Sequence, residues 1–122
     1  FLMWGYDGET VGDIAETVDL VKRANPDVFL TTVAYPIKNT GYFAKVAGRV
    51  SLPKAWATAS DRDLLVEGRP DRAFSRDADL WLRHDVAAFR TRDTDPRAAA
   101  LDRTVAAEAR ARVEAAASGV IP

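Results

Sequence analysis

The stretch FLMWGYDGET, residues 1–10, decides how the rest of the chain is interpreted. Its first four residues are apolar and end at Gly5, which is typical of a buried strand that leads into a turn. Thr10, followed by Asp13, forms the pattern of a capping box and predicts the start of a helix. Because the apolar run starts at the first position, we expect a strand entered from upstream sequence, so that the chain is the C-terminal piece of a longer protein.

A helix and a second strand are predicted after this stretch. Apolar residues recur on one helical face from Val11 to Val21, and Asn25 followed by Pro26 ends the pattern. The run 28–35 is rich in β-branched and aromatic residues and stops before a proline, which indicates a strand. Strand, helix and strand in this order predict a βαβ unit, in which a right-handed crossover joins two parallel strands.

The remainder of the chain is predicted to be irregular and then helical. A short helix is expected over 42–47, whereas 50–71 contains proline and glycine and has no clear period. Helical patterning returns over about 75–90. The last helix is predicted over 95–117, with an aspartate cap, a proline in its first turn and a glycine after its end.

Composition limits the classes of function. The chain has 122 residues, of which 48% are hydrophobic, and is long enough for one modest core. Its 17 basic and 18 acidic residues nearly cancel, so that charge does not favour nucleic acid as a partner. Cysteine is absent, which removes disulfides and thiolate-held clusters. No apolar run is long enough for a membrane span, and a cytoplasmic location is the default expectation.

Two segments resemble a known enzyme family. Residues 5–10, Gly-Tyr-Asp-Gly-Glu-Thr, resemble the Gly-Tyr-Pro-Gly-Glu-Thr segment of radical S-adenosylmethionine enzymes. Residues 34–40, Ala-Tyr-Pro-Ile-Lys-Asn-Thr, look like the Tyr-Pro-x-x-Gly-Thr segment that follows the next strand in that family. Asp7 stands where the family commonly has proline, which loosens the turn and adds a charge near the edge of the implied cofactor site. Asn39 stands where glycine is usual, and asparagine readily replaces glycine at positive φ.

A third segment narrows the resemblance to a subfamily. Residues 60–65 with Gly68 and Arg69, and then residues 72–74 leading into the helix with Trp81 and Leu82, are similar to the tail of one subfamily. Its members have an N-terminal cobalamin-binding domain and include anaerobic magnesium-protoporphyrin IX monomethyl ester cyclase-like proteins. The resemblance implies an α/β fold class: the last two β/α units of a partial radical S-adenosylmethionine (β/α) barrel, followed by a mainly helical C-terminal tail. The implied divisions are 1–47 for the barrel part, 48–92 for the subfamily tail and 93–122 for an alanine-rich helix.

The resemblance implies the C-terminal part of a cobalamin-dependent radical enzyme, of the cyclase or methyltransferase type. Complete members use S-adenosylmethionine, a 4Fe–4S cluster held by three cysteines, and cobalamin. This chain has no cysteine and would supply only the far wall of the S-adenosylmethionine site, so the isolated chain is expected to be inactive. The expected partners are the missing N-terminal part of the same protein or a cluster-bearing chain, and a small-molecule substrate.

The resemblance also assigns cofactor contacts to residues at the end of each strand, and it assigns no catalytic residue and no metal ligand. The assigned residues are Met3, Gly5, Tyr6, Gly8, Glu9, Ala34, Tyr35 and Pro36. The residues alone favour the other interpretation, in which Gly5 and Gly8 are only turn glycines and Met3 is only a core residue. An acidic residue before the helix also favours its N-terminus, whatever else it does.

Several alternatives stay open at this point. The chain could be a stand-alone binding or assembly module that is not catalytic, with an anionic ligand at its first loop. His84, the only histidine, is either a proton donor near a substrate or a packed side chain. The segment 61–63 with Arg69 is either a local salt-bridged turn or part of a closing active site. The aromatic side chains of the tail either bury it or shape a pocket for a large, flat substrate.

Overall fold

The computed structural model describes residues 1–52 and 55–119, without the side chain of Trp56. In this part of the chain, four α-helices accompany four short strands, which form two separate two-stranded sheets. The strands are β1 (Leu2–Trp4), β2 (Thr31–Val33), β3 (Val50–Ser51) and β4 (Leu65–Val66). The helices are α1 (Val11–Ala24), α2 (Gly41–Val46), α3 (Arg72–Thr91) and α4 (Pro96–Ala117).

The predicted βαβ unit is present at the start of the chain. Strands β1 and β2 are parallel, with Met3 opposite Thr32, and helix α1 connects them. The capping box at the start of α1 is confirmed, since the Thr10 hydroxyl accepts a hydrogen bond from the backbone N–H of Asp13, whose carboxylate accepts one from the backbone N–H of Thr10. The helix ends at Asn25, whose positive φ of 44° continues the chain in a left-handed conformation.

Helices α3 and α4 form a long antiparallel hairpin that contributes much of the core. Asp95 caps α4, Pro96 occupies its first turn and Gly119 follows its end at positive φ, as predicted. The two helices pack along their lengths, and α1 packs against α3. The core cluster consists of Trp4, Ile14, Val18, Val21, Ala78, Trp81, Leu82, Val86, Ala106, Ala109 and Val113.

Polar contacts tie the βαβ unit to this hairpin. The Lys22 ammonium lies 2.6 Å from a carboxylate oxygen of Asp85, which joins α1 to α3. The Thr31 hydroxyl donates to Asp79 across 2.6 Å, which joins β2 to the same helix. Each contact is partly exposed, so their main effect is to set the relative position of elements whose apolar faces already meet.

The segment between α2 and α3 is less irregular than predicted. Strands β3 and β4 pair antiparallel, with Val50 opposite Val66. A single turn of 3-10 helix over Asp61–Asp63 precedes β4, and a second capping box holds it, in which Ser60 and Asp63 exchange hydrogen bonds. Part of the expected irregular stretch, residues 53 and 54, lies outside the described residues.

The predicted fold class is wrong. The described residues form a mostly helical small domain with two small sheets and no barrel, not the last units of a partial α/β barrel with a helical tail. Only three residues of the predicted strand 28–35 pair with β1. The physical reason lies in the core, where the apolar side chains of β1 and α1 pack against α3 and α4.

Small side chains permit the close contact between α3 and α4. Ala109 is fully buried, whereas Ala107 on the same helix is exposed. We predict that Ala109→Leu lowers the free energy of unfolding by about 1–3 kcal/mol, because a larger side chain has no space between the helices. Urea denaturation measures this value, with Ala107→Leu as the matched control. Equal midpoints for the two variants would contradict the packing described here.

Candidate functional site

The first loop, residues 5–10 between β1 and α1, is organised by its own hydrogen bonds. The backbone N–H of Glu9 donates to the carbonyl of Tyr6 across 2.9 Å and closes a tight turn. The Glu9 carboxylate folds back and accepts a hydrogen bond of 2.8 Å from the backbone N–H of Gly5. These two hydrogen bonds hold the loop in its conformation without a ligand.

Side chains of the next connection cover the first loop. The ring of Tyr6 stacks on that of Tyr42 in α2, with centroids 4.8 Å apart. The Arg49 guanidinium lies 2.8 Å from the carboxylate of Asp7, and the Lys45 ammonium lies 3.6 Å from it. Asp7, which replaces the usual proline of the resembled family, thus has a structural role as the acidic partner of two cations.

Both glycines of the first loop adopt positive φ, 78° at Gly5 and 87° at Gly8. A Cβ atom on Gly5 would lie 3.5 Å from Cγ of Arg69, so the stem of that arginine passes directly over the glycine. A Cβ atom on Gly8 would meet nothing within 4 Å. The Arg69 side chain thus occupies the space beside Gly5, whereas the space beside Gly8 is open.

Arg69 connects the ends of the two parallel strands. Its stem lies over Gly5, which follows β1, and its guanidinium donates to the carbonyl of Ala34, which follows β2. Sequence reasoning placed Arg69 only in a local turn or a closing segment. Its long-range contact has no signal in the sequence, because the partner is a backbone carbonyl far along the chain.

The structure brings four of the eight predicted residues into one small cavity. This cavity has a volume of about 140 Å³ and is lined by Gly5, Tyr6, Gly8 and Glu9 together with Tyr42, Arg49 and Arg69. The other predicted residues lie elsewhere: Met3 is half-exposed on the sheet, Ala34 and Pro36 are buried, and Tyr35 lies beneath the guanidinium of Arg62.

The pKa values of titratable groups in and beside the first loop are shifted in opposite directions by their surroundings. Burial raises the pKa of Glu9 above its usual value, although the hydrogen bond from Gly5 acts against this. The hydrogen bond from Arg49 lowers the pKa of Asp7, and hydrogen bonds from Thr10 lower that of Asp13. Burial raises the pKa of Tyr42.

The residues present fit the implied cofactors only in part. An iron–sulfur cluster does not fit, because the sequence contains no cysteine. Residues 1–52 and 55–119 also contain no cluster of histidine and acidic residues suited to a metal ion. For S-adenosylmethionine, the first loop offers open space at Gly8, but Arg69 covers Gly5 and already binds the carbonyl of Ala34.

No family model, curated protein or solved structure matches this chain. The resemblance of residues 5–10 and 34–40 to radical S-adenosylmethionine enzymes is therefore carried by those residues alone. Across the described residues, none of the helices is long and apolar enough to cross a membrane.

Two further candidate side chains, His84 and Trp81, have structural partners. His84 Nδ1 lies 2.8 Å from a carboxylate oxygen of Asp102, a contact that joins α3 to α4. Trp81 is buried in the core, and its indole N–H lies 3.3 Å from the carboxylate of Asp85. Both observations favour packing over a direct part in chemistry for these two residues.

The half-buried carboxylate of Glu9 gives a pH-dependent prediction. Because its pKa is raised in the folded protein, the contribution of Glu9 to stability is full below the unfolded pKa, near 4.5, and is lost as pH rises through the folded pKa. Glu9→Gln keeps an oxygen that accepts from Gly5 and removes the charge. We predict that the variant gains stability relative to wild type as pH rises from about 4 to about 7.

Thermal unfolding across this pH range measures the difference between the two proteins. The lowered pKa of Asp7 acts in both proteins and cancels in the comparison, whereas repulsion between Asp13 and the charged form of Glu9 is absent from the variant and adds to its expected gain. Glu16→Gln, on the exposed part of α1, is the matched control. If the difference in melting temperature between Glu9→Gln and wild type stayed constant with pH, burial would not disfavour the charged form of Glu9.

Proposed function

We propose that this chain is the C-terminal part of a cobalamin-dependent radical S-adenosylmethionine enzyme of the cyclase or methyltransferase type. Its first loop supplies one wall of the S-adenosylmethionine site. The cluster cysteines come from the N-terminal part of the same protein or from a separate cluster-bearing chain, with a small molecule as substrate. The enzyme would be cytoplasmic, as expected for one with an oxygen-sensitive cluster.

One observation supports a missing partner above the others: the bare apolar face of the β1–β2 sheet. Met3 lies opposite Thr32, which places Phe1, Met3 and Leu30 on one face. These side chains are 79%, 53% and 58% exposed, respectively. Large apolar side chains that are adjacent and exposed commonly mark a contact surface. The first loop lies at the carboxyl end of β1, next to this surface, where ligands bind in parallel α/β sheets.

The role of this chain would be to position the cofactor rather than to react. S-adenosylmethionine, when bound beside a cluster, supplies radical or methyl-transfer chemistry. Gly8 leaves space for close approach to the backbone of the first loop, and Tyr6 offers an aromatic surface there. Met3 lies outside this cavity and offers a thioether on the neighbouring face of the sheet. Release of Arg69 from Ala34 would free the backbone carbonyl at the end of β2 as a further acceptor.

A second function has its own supporting observation. The groups of the first loop already have partners within the chain: Gly5 with Glu9, Asp7 with Arg49, and Tyr6 with Tyr42. A loop that is closed by its own contacts suits a non-catalytic binding or assembly module. In that case the bare face of the β1–β2 sheet binds another protein, and S-adenosylmethionine has no part.

The two functions differ in what the chain does beside a cluster-bearing partner. The partner to test is the segment encoded directly upstream, if it contains Cys-x-x-x-Cys-x-x-Cys. We predict that calorimetric titration detects S-adenosylmethionine binding to the mixture but not to the isolated chain. We expect Gly8→Ala to weaken binding, because its Cβ enters the open space beside the first loop.

Gly119→Ala is the matched control, because Gly119 also has positive φ, 72°, and nothing within 4 Å of its Cβ position, but follows α4. The absence of such cysteines upstream would reject the fragment proposal. Binding to the mixture that is unchanged by Gly8→Ala would reject the role of the first loop. Formation of a complex without S-adenosylmethionine binding would favour the assembly module.

A further inference from the structure

A second, larger cavity lies at the carboxyl end of β2. Its volume is about 650 Å³, which is within the usual range for small-molecule sites. Strand β2 supplies Thr32 and Val33, β4 supplies Leu65, and the first turn of α3 supplies Arg72. The cavity is thus built from three elements that are distant in sequence and held together by the core.

Three arginines line this cavity, and none of them has a carboxylate partner among residues 1–52 and 55–119; Arg69 is held by the carbonyl of Ala34, which leaves Arg62 and Arg72. The Arg62 guanidinium lies 5.4 Å from the centroid of the Tyr35 ring, which orients it without neutralising its charge. Arg72 is exposed and is the first residue of α3. A cation at a helix N-terminus opposes the helix dipole, so the position of Arg72 does not serve helix stability.

The acidic side chains at the same cavity are mostly engaged. The Asp71 carboxylate caps α3 by accepting from the backbone N–H of Phe74 across 2.9 Å. The Asp63 carboxylate accepts from the backbone N–H of Ser60 across 2.9 Å. Glu67 is the remaining acidic residue of the lining, and it is exposed. These carboxylates keep their negative charge, but among the described residues none of them forms an ion pair with the guanidinium group of Arg62 or Arg72.

The cavity also has an apolar wall. Leu65 is 48% exposed, although it belongs to a strand, and Val33 and Pro70 extend the apolar surface beside it. Two hydroxyl residues, Thr32 and Ser75, belong to the same lining, and the Ser75 hydroxyl donates to the carbonyl of Asp71. An apolar surface with a few polar groups at one side is the usual composition of a site for a small organic molecule.

We propose that this cavity binds a small organic oxyanion, with a carboxylate or phosphate group at Arg62 and Arg72 and an apolar body against Leu65. Guanidinium groups suit both anions, because their paired N–H donors match two oxygens. This site goes beyond the proposed function: its lining contains no residue of the first loop, and it requires neither S-adenosylmethionine nor a cluster.

Chemical-shift titration of the whole chain with three probes tests the proposal. Benzoate and phenyl phosphate carry the two candidate anions on the same apolar ring, and benzyl alcohol is their neutral counterpart. The expected result is saturable binding of at least one anion, with shifts of the backbone amides of Thr32, Leu65 and Arg72, and much weaker binding of benzyl alcohol. The stronger of the two anionic probes identifies the preferred group.

A double substitution tests the role of the arginines. Arg62→Gln with Arg72→Gln should weaken binding by about tenfold or more, since two charge-assisted contacts are lost. Arg97→Gln with Arg103→Gln removes two exposed charges from α4 and should leave affinity unchanged. Lack of binding by both anions, equal binding of benzyl alcohol, or equal affinity of the two double variants would each overturn the proposal. None of these outcomes depends on S-adenosylmethionine binding.

Discussion

The close contact between α3 and α4 is the constraint on which the rest of the structure depends. Alanines at the contact, such as Ala78, Ala106 and Ala109, bring the two helices together. Larger apolar side chains at the edges of this contact then present a continuous surface to α1 and β1. A two-stranded parallel sheet cannot bury both of its faces alone, so the βαβ unit depends on the hairpin for one covered face.

The same arrangement determines where function can lie. One face of the β1–β2 sheet is used to attach the unit to the helices, and the other face remains bare. The carboxyl ends of the strands are shared between two cavities, and Arg69 lies at both of them. A ligand in either cavity would meet a side chain that is already held by backbone atoms of the neighbouring loop. Arg69 is thus the physical connection between the proposed cofactor wall and the proposed oxyanion site.

Local structure was largely predictable, because local residues specify it. Thr10 with Asp13, Asp95 with Pro96, and Asn39 at a positive φ of 69° each act within a few residues, and each was found as predicted. The fold class was predicted wrongly. The prediction rested on the resemblance to a family of longer proteins and on a strand over 28–35, of which only Thr31–Val33 pairs with β1. Long-range polar contacts, such as the one between Arg69 and Ala34, leave no periodic pattern in a sequence.

The two buried tryptophans of the core differ in one respect that makes them useful as internal reporters. The indole N–H of Trp81 faces Asp85, whereas that of Trp4 is buried without a hydrogen-bond partner in the described residues. An indole without a polar neighbour emits at shorter wavelength than one beside a carboxylate. Trp4 also ends β1 directly before the first loop. Its fluorescence should therefore report events at that loop from inside the protein, without an attached label.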